Sequence, residues 1–475
     1  MLVPTPEERE KERALFGEER RKAPHLFERE PMADTDEVLR GVGIELPLGE
    51  RPAAYLRLMP QDFVVEEINR DESLHTVETG PLLAPISTGD GQSFYGDLVK
   101  AGVSTLDVKT RLSYLLGVEE KQIGFAGIKD RAALTAQAFS IRGVARIAEF
   151  EKIQEQNFFL KNIRAGKGVL ASGDLWGNRF IIILRLAAPL SPEAIAAIRR
   201  KIDEMNEDGF WNFFYLQRFG TPRLIGHRLG RSIAQGDYEG AVKMFLTHTA
   251  PRKLPYFMQI RKEAAAMWGR WDEIFARIDR FPYHFHLERT LIRHLMDRPA
   301  DFLGALSAIP EQIKMWVYAY DSYLFNQKLS ALIKTGTVPM ELPLATSFDS
   351  RDWEPYKEYF AEDGVALPLR AWKDFPFVRV DSRMWPTLQN VRFHKVEFRR
   401  DLAVFAFSLP KGAYATSYLM NLFTLSSGLP LLPGISTDAI DAKAVLGLGA
   451  LAETLARFRT VLESREEDIA ASGLE

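Results

Sequence analysis

Short apolar runs bounded by glycine or polar residues predict several β-strands in this chain. The runs with the clearest strand pattern are Phe63–Ile68, Phe180–Leu186, Val391–Phe398 and Leu402–Leu409, and shorter extended segments are indicated at Tyr55–Arg57 and Asp97–Lys100. They are rich in β-branched and aromatic residues, which favour strands. Ser87–Gln92 is polar and rich in glycine, which predicts a loop.

Other segments carry apolar residues at helical spacing. In Ser104–Leu116 the apolar positions include Leu106, Val108, Leu112 and Leu115. Ser104 or Thr105 would cap this helix, and Gly117 would end it. Further helices are predicted at Ser191–Glu207, over most of Leu224–Ile313, at Lys314–Ile333 and at Ile440–Ser464.

The stretch Ile123–Arg142 has an apolar run at each end and a polar centre. This pattern predicts two strands joined by a loop that presents Lys129, Asp130 and Arg131 in a row. Asp130 has two interpretations. It is a turn former or the N-cap of a short helix beginning at Arg131, or it is a functional carboxylate whose ionised form the flanking cations favour.

Composition bounds the class of protein. The chain has 475 residues, 46% of them hydrophobic and 26% charged, as in a globular protein of two to four domains. It contains no cysteine, which excludes disulfides, thiolate catalysis and cysteine-ligated zinc. We find no apolar run of membrane-spanning length and no signal-peptide pattern, so we expect no membrane association and a cytoplasmic location. The net charge of −3 still allows a local nucleic-acid site.

Two histidines are candidate metal ligands. His284 and His286 stand two residues apart with Glu288 nearby, but no further ligand is evident. Packing of an aromatic-rich segment, FPYHFH, is the favoured interpretation, so we expect no metal site.

Seven motifs, in order along the chain, resemble those of the TruD family of pseudouridine synthases. They are PQDFVVEEI at Pro60–Ile68, KAGVSTLDVKTRLSYLLG at Lys100–Gly117, GFAGIKDRAALTAQ at Gly124–Gln137, GNRF at Gly177–Phe180, NFFYLQRFG at Asn212–Gly220, SYLFN at Ser322–Asn326 and LPKGAYATS at Leu409–Ser417. Any one of them alone would be weak.

The resemblance implies a reaction and a fold. These enzymes isomerise uridine in RNA to pseudouridine without a cofactor or metal, and the bacterial branch modifies uridine 13 of tRNA. The implied fold class is α+β: a catalytic domain with a mixed, mainly antiparallel sheet, into which a largely helical TruD domain is inserted. We expect a charged N-terminal extension at 1–50, catalytic segments at 51–222 and 389–430, the TruD domain at 223–388, and a C-terminal helical tail at 431–475. The RNA partner would be tRNA, and the oligomeric state stays open.

By the same resemblance, Asp130 is the catalytic residue, either attacking the ribose C1′ or abstracting the 2′ proton. Phe180 would stack on the flipped uracil and Asn178 would hydrogen-bond it. Taken alone, Phe180 is also typical of a core residue and Asn178 of a turn.

Four further cations or groups of cations are RNA-binding candidates. Lys129 is either solvated or bound to phosphate. Arg57 occupies a position where the family can carry lysine. Arg218 lies in an aromatic-rich segment and would support the active-site cleft. A possible phosphate-tracking patch at helical spacing comprises Arg223, His227, Arg228 and Arg231.

The chain departs from the family pattern at Asp321, where glutamine is frequent, and at Met420–Asn421, where an Arg-Glu pair is usual. Two rival functions are an RNA-binding or RNA-chaperone protein without catalysis, and a metal-dependent hydrolase using Glu66, Glu67 and Asp130.

Overall fold

A computed structural model gives the architecture. It describes residues 6–28, 32–84, 93–144, 146–250, 252–347, 349–367, 369, 371–378, 381–428 and 434–470. The predicted loop Ser87–Gln92 lies outside the described residues. Contacts divide the chain into two units: a helical unit of 6–28, Asp34–Leu48 and Asn212–Leu388, and a sheet unit of 32–33, Gly49–Trp211 and 389–470. The domain bounds expected from the sequence remain a prediction.

The strands of the described residues are, in chain order, β1 (Met32–Ala33), β2 (Ala53–Leu56), β3 (Phe63–Ile68), β4 (Ser93–Lys100), β5 (Ile123–Phe125), β6 (Leu134–Arg142), β7 (Phe158–Gly166), β8 (Gly177–Arg185), β9 (Phe210–Trp211), β10 (Glu341–Pro343), β11 (Met384–Pro386), β12 (Leu388–Gln389), β13 (Arg392–Phe398), β14 (Leu402–Pro410) and β15 (Thr424–Ser427).

The α-helices of the same residues are α1 (Pro6–Lys22), α2 (Asp36–Arg40), α3 (Thr105–Leu116), α4 (Pro192–Asp208), α5 (Gly226–Gln235), α6 (Tyr238–Thr247), α7 (Pro255–Ala266), α8 (Trp271–Ile278), α9 (His286–Asp297), α10 (Phe302–Ser307), α11 (Pro310–Thr335), α12 (Ser350–Trp353), α13 (Lys357–Glu362), α14 (Ala415–Leu419), α15 (Ala442–Leu446), α16 (Ala452–Arg457) and α17 (Arg459–Ala470). As the sequence predicts, Ser104 caps α3 and Gly117 ends it in the left-handed conformation.

Eleven strands of the described residues form one sheet in the sheet unit. Its main path runs β1-β15-β2-β8-β3-β6-β4-β7, and β14, β13 and β5 attach to it at β8, β14 and β6. Pairs β2–β15 and β3–β6 are parallel, whereas the other pairs are antiparallel. The predicted α+β class with a mixed, mainly antiparallel sheet is therefore confirmed.

Alternation along β3 and β8 separates the two faces of this sheet. On one face, Val64 and Ile181 join a buried core that includes Ala442 and Leu446 of α15. The opposite face receives Glu67 and Phe180. Because α15 covers the first face, the second is where the polar side chains of β3 and β8 can meet a loop.

The C-terminal helix predicted at Ile440–Ser464 is wrong as a single element. Gly447 ends α15 in the left-handed conformation, and Gly449 also has a positive φ, of 127°. Such φ values suit glycine and break a helix. The tail therefore forms three short helices, α15 to α17, whose apolar residues cover the sheet.

Close packing of α5 on α11 organises the helical unit. A Cβ at Gly230 of α5 would lie 2.2 Å from the carbonyl oxygen of Trp316, so only glycine permits this approach. Further along α11, buried Asn326 fixes neighbouring backbone: its Nδ2 donates to the carbonyls of Val42 and Phe214, each at 2.9 Å.

The charged helix α1 has an apolar side that packs within the helical unit. It carries exposed i,i+4 ion pairs, such as Lys11–Glu7. Its Phe16, however, is buried, and the ring lies edge-on to Phe27 with centroids 4.9 Å apart and tilted against Phe257 at 5.9 Å. Among the described residues, no helix is long and apolar enough to cross a membrane.

Candidate active site

The loop between β5 and β6 carries Asp130. The two strands pair antiparallel, with Ile123 opposite Ile141 and Phe125 opposite Phe139, as the pattern of Ile123–Arg142 predicts. Arg131 begins a turn and not a helix. The N-cap interpretation of Asp130 is therefore wrong, and the loop conformation depends on contacts from other elements.

Arg57 is the ion partner of the Asp130 carboxylate. Its Nη2 lies 2.8 Å from Oδ2, and the Asp130 side chain is still 53% exposed. The flanking cations have other partners: Lys129 pairs with Glu67, and Arg131 Nε donates to the carbonyl of Gly102 at 3.2 Å. The expectation that these neighbours hold the carboxylate is corrected, because the cation that does so lies 73 positions earlier.

Arg57 adopts a backbone conformation that is unusual for its residue type. Its φ is 63°, in the left-handed region. The guanidinium carbon lies 3.9 Å from the centroid of the Phe63 ring while the group binds Asp130. Strain of this kind is found at functional sites, where surrounding contacts hold the residue in place.

Lys100, at the end of β4, binds the backbone of the loop that carries Asp130. Its Nζ donates to the carbonyl oxygens of Asp130 at 2.7 Å and Val103 at 2.9 Å. Burial lowers the pKa of Lys100 to about 8, although the nearby Asp130 carboxylate acts in the opposite direction. A buried ammonium thus orients the backbone of the catalytic candidate.

A chain of hydrogen bonds holds the preceding part of the loop. The backbone N–H of Lys129 donates to Thr105 Oγ1 at 3.0 Å, and Thr105 donates to Gln137 Oε1 at 3.0 Å. Gln137 Nε2 then donates to the carbonyl of Gly127 at 2.8 Å. The Lys129 side chain is 5% exposed and its partner Glu67 is fully buried. The loop therefore has polar anchors on α3, β3 and β6.

Phe180 follows two residues after Asn178 on β8, so both side chains stand on the face that carries Glu67. The Phe180 ring is 7% exposed, edge-on to Phe63 at 6.0 Å and stacked on Phe407 at 5.6 Å. Phe63 also contacts Arg57, which links this aromatic cluster to Asp130. In this structure Phe180 packs as a core residue.

Asn178 stands opposite Glu67 in the sheet. Its Oδ1 is buried without a hydrogen-bond partner among the described residues. A buried polar atom without a partner is costly, so it marks a place where a ligand donor can bind.

Arg218 belongs to the helical unit. It lies in a 3₁₀ turn, Leu216–Phe219, with its guanidinium carbon 5.4 Å from the centroid of the Phe214 ring. The aromatic residues around it belong to the core: Phe213, Phe214 and Phe219 are all buried. Asp321 is fully buried in the same unit, and burial raises its pKa to about 7.

The carboxylates Glu66 and Glu67 do not form a metal cluster. They point to opposite faces, where Glu66 pairs with Arg179 and Lys443, and Glu67 pairs with Lys129. Among the described residues no group of three or more histidines and carboxylates is arranged to hold a metal.

The candidate histidines have other contacts. The ring of His284 is stacked on Phe257 with centroids 3.6 Å apart, and Glu288 pairs with Arg261 at 2.6 Å. Burial lowers the pKa of His284 well below its usual range. The packing interpretation of FPYHFH is confirmed.

The sequence did not predict that Lys100, Thr105 and Glu67 hold the loop that carries Asp130. A lysine ending a predicted strand beside a helix cap was a signal available for Lys100 and Thr105. Glu67 was considered only as a metal ligand, although a glutamate inside a β-branched run needs a buried partner.

The family model described as tRNA pseudouridine synthase D (TruD) matches residues 50–346. The chain belongs to the TruD family. It is an RNA-modifying isomerase of the pseudouridine synthase class, which removes the metal-dependent hydrolase from consideration.

The sequences of related proteins match most of this chain. A protein of Methanopyrus kandleri named "Probable tRNA pseudouridine synthase D" is 32% identical over 72% of this chain and 88% of its own length. A protein of Methanocaldococcus jannaschii named "Probable tRNA pseudouridine synthase D 1" is 29% identical over 77% and 94%. For the Methanosarcina acetivorans relative, 31% identical, the match covers 65% of this chain and 66% of that protein.

A solved structure shows the same fold. It is a crystal structure described as a TruD protein from Methanosarcina mazei, and it matches with a TM-score of 0.59 at 24% identity. The match covers 82% of this chain and 98% of the other.

Proposed function

We propose that this chain isomerises uridine to pseudouridine in tRNA, at uridine 13 by family resemblance, with Asp130 as the catalytic carboxylate. The observation that carries the proposal is the Asp130 carboxylate itself: it is half exposed, paired with Arg57 at 2.8 Å and held at its backbone by Lys100. An accessible carboxylate on a fixed loop suits either covalent attack or proton abstraction.

The reaction balances within the nucleoside. The C1′–N1 bond breaks, the detached uracil turns, and a C1′–C5 bond forms while C5 loses its proton and N1 gains one. Asp130 either bonds transiently to C1′ and is released when the C1′–C5 bond forms, or takes the 2′ proton and returns it at that step. Both roles need the ionised form that the Arg57 guanidinium accompanies.

The uridine must leave its stack to reach this carboxylate. Asn178 supports the binding of a flipped base, because its buried Oδ1 has no partner in the described residues and uracil N3–H is a donor. In the proposal, stacking by Phe180 requires its ring to become more exposed than the 7% seen here. Arg57 and Arg218 stay proposed substrate-binding residues, whereas Lys129 would have to leave its buried pair with Glu67 in order to bind RNA.

The test uses tRNA transcripts carrying uridine tritiated at C5. Wild-type protein should release tritium with or without EDTA, and Asp130→Ala should release none. Asp130→Asn, which removes the charge at nearly constant shape, should keep tRNA affinity within about twofold while turnover falls by at least 10³.

Asp71→Asn is the matched control. Asp71 is an exposed aspartate of the same unit that accepts hydrogen bonds from Ser73 in a turn. It should keep wild-type turnover. Equal loss in both variants would mean that Asp130 is only a turn residue, and loss of tRNA binding by Asp130→Asn would contradict the proposed role.

The substrate is tested separately with a transcript in which cytidine replaces uridine 13. Loss of tritium release from that transcript supports the position, and undiminished release from it moves the modified uridine elsewhere. Binding of tRNA with no release from any transcript would instead favour the RNA-chaperone alternative.

A further inference from the structure

The predicted basic patch of Arg223, His227, Arg228 and Arg231, at and before α5, is not one continuous surface. The Arg223 side chain is 10% exposed, donates to the carbonyl of Phe245 at 2.7 Å and lies 3.6 Å from Glu288. Burial lowers its pKa to about 9, and neighbouring Arg261 acts in the same direction. His227 is 7% exposed. Arg228 and Arg231 are both partly exposed.

These two arginines line a pocket of about 160 Å³ within the helical unit. His227 and the tyrosines Tyr320 and Tyr323 of α11 form the rest of its wall. At roughly 30 Å³ for each water molecule, this volume accommodates a small polar group with several oxygens. The close approach of α5 to α11 at Gly230 brings the five side chains together.

The charges of the pocket do not cancel. Arg231 pairs with Asp363 at 2.9 Å, and Tyr320 donates to the other oxygen of the same carboxylate at 2.8 Å. Arg228 has no carboxylate partner among the residues that the structure describes. One positive charge is therefore left without a counter-charge beside a polar cavity.

His227 supplies an independent sign of a missing ligand. Its ring is stacked on Tyr323 with centroids 4.6 Å apart, yet its buried Nδ1 has no hydrogen-bond partner in the described residues. Burial, with Arg228 and Arg231 nearby, lowers the pKa of this imidazole. A neutral imidazole carries one N–H, which can be placed on either nitrogen and so can donate to an incoming oxygen.

We propose that His227, Arg228 and Arg231 form a binding site for a phosphate group in the helical unit. Guanidinium groups match phosphate geometry, a neutral imidazole and tyrosine hydroxyls add uncharged donors, and an anion restores electroneutrality. The source of the phosphate is the RNA backbone or free phosphate. The first source rests on the proposed function, because the RNA would be the substrate.

The first arm measures binding of a fluorescent tRNA transcript to the full chain at KCl concentrations from about 50 to about 300 mM, a roughly sixfold range over which phosphate contacts weaken measurably. Arg228→Ala should weaken affinity roughly tenfold and reduce the slope of log affinity against log salt by about 1. Arg228→Lys should retain most of the affinity, since lysine also binds phosphate as a point charge.

Arg293→Ala is the matched control, because Arg293 is an exposed arginine on α9 of the same unit. It should leave affinity and salt slope unchanged. His227→Phe keeps a ring against Tyr323 and removes the nitrogens, so it is a second variant that should weaken phosphate binding. Thermal melts followed by circular dichroism confirm that each variant is folded.

The second arm titrates wild-type protein and Arg228→Ala with inorganic phosphate by calorimetry. An effect of Arg228→Ala on tRNA alone identifies a backbone phosphodiester, and an effect on inorganic phosphate alone identifies free phosphate; either supports the site. Unchanged binding in both arms overturns it. Tritium release is a separate readout, so a protein that binds tRNA through this pocket without turnover would refute the proposed function and keep the site.

Discussion

The sheet unit and the helical unit bury polar groups in different ways. In the sheet unit the fully buried acids Asp62, Glu66 and Glu67 each have a cationic partner. The helical unit also pairs buried acids, as Glu288 is paired with Arg261, but its His227 is buried beside Arg228 and Arg231, and its pKa is lowered by burial and by both cations. Paired charges anchor the loop that carries Asp130 in the sheet unit, whereas in the helical unit the buried Nδ1 of His227 has no hydrogen-bond partner among the described residues. The difference predicts that the two units respond differently to loss of a partner and to acid.

Removing the partner of a buried acid in the sheet unit should have the largest effect. Lys129→Ala leaves Glu67 buried without its counter-charge, which should lower the free energy of unfolding by about 3–5 kcal/mol. Urea denaturation measures this. Lys152→Ala, which breaks an exposed pair with Glu149, should leave the urea midpoint unchanged.

The double variant Lys129→Met with Glu67→Leu tests whether the uncompensated charge causes the loss. Because it removes both charges, it should recover much of the lost stability. Its tRNA affinity then reports whether Lys129 also binds RNA. A Lys129→Ala variant as stable as wild type would show that this buried pair does not stabilise the sheet unit.

Arg57→Ala should lower turnover at saturating tRNA about a hundredfold, or about 2.7 kcal/mol in activation free energy. The reason is that Asp130 loses its ion partner while its backbone stays held by Lys100. Single-turnover tritium release is the measurement. Arg57→Lys keeps a cation and should lose no more than tenfold; an equal loss in both variants would contradict an electrostatic role.

Acid should destabilise the helical unit through its neutral histidines. Burial lowers the pKa of His227 to about 3, with Arg228 and Arg231 acting in the same direction. The unfolded chain binds a proton near pH 6.5 and the folded chain does not, so stability falls as pH decreases from about 6.5 towards 3. Between pH 7 and pH 5 this histidine should account for about 2 kcal/mol.

Urea denaturation of wild type and His227→Phe at pH 7 and pH 5 measures this contribution. The free energy of unfolding should fall less in the variant than in wild type, by about 2 kcal/mol. His25→Ala, at an exposed histidine of the same unit, should keep the wild-type drop. Identical drops in wild type and His227→Phe would mean that His227 does not carry the acid sensitivity.

Lys100→Met should have the smallest effect of the set, lowering turnover about tenfold with little change in KM. The loop loses one charge-assisted hydrogen bond, at the Asp130 carbonyl, and the segment before α3 loses another, at Val103, but the loop keeps the anchors at Thr105 and Gln137. Because the pKa of Lys100 is lowered to about 8, wild-type turnover should decline above that pH as the ammonium loses its proton. The Met variant should lack this decline, and Lys121→Met, at an exposed lysine, should retain it.

Local patterns predicted the elements better than the partners. The bounds of β3 and the cap of α3 follow from apolar runs, Ser104 and Gly117, all of which act over a few residues. The pairs Arg57–Asp130 and Lys129–Glu67 join residues more than 60 positions apart, and no local pattern encodes such contacts.

The patch on α5 shows the limit of helical spacing. Spacing predicted one face for Arg223, His227 and Arg231, but it could not show that Arg223 precedes α5 and binds the carbonyl of Phe245, or that His227 is buried against Tyr323 of α11. The tail was misread for a related reason, since apolar periodicity continues across Gly447 and Gly449 although their φ values break the helix.

The position of β14 has a consequence for synthesis of the chain. Strand β8 pairs with β14 along nine consecutive residues, Gly177–Arg185 against Leu402–Pro410. The ribosome must therefore produce more than 200 further residues before β8 gains this neighbour, and Lys443 reaches Glu66 later still. The helical unit, whose last segment ends at Leu388, is complete earlier. Domains fold as units during translation, so the helical unit, all of whose segments precede β13, can mature while the sheet unit still lacks this strand pairing.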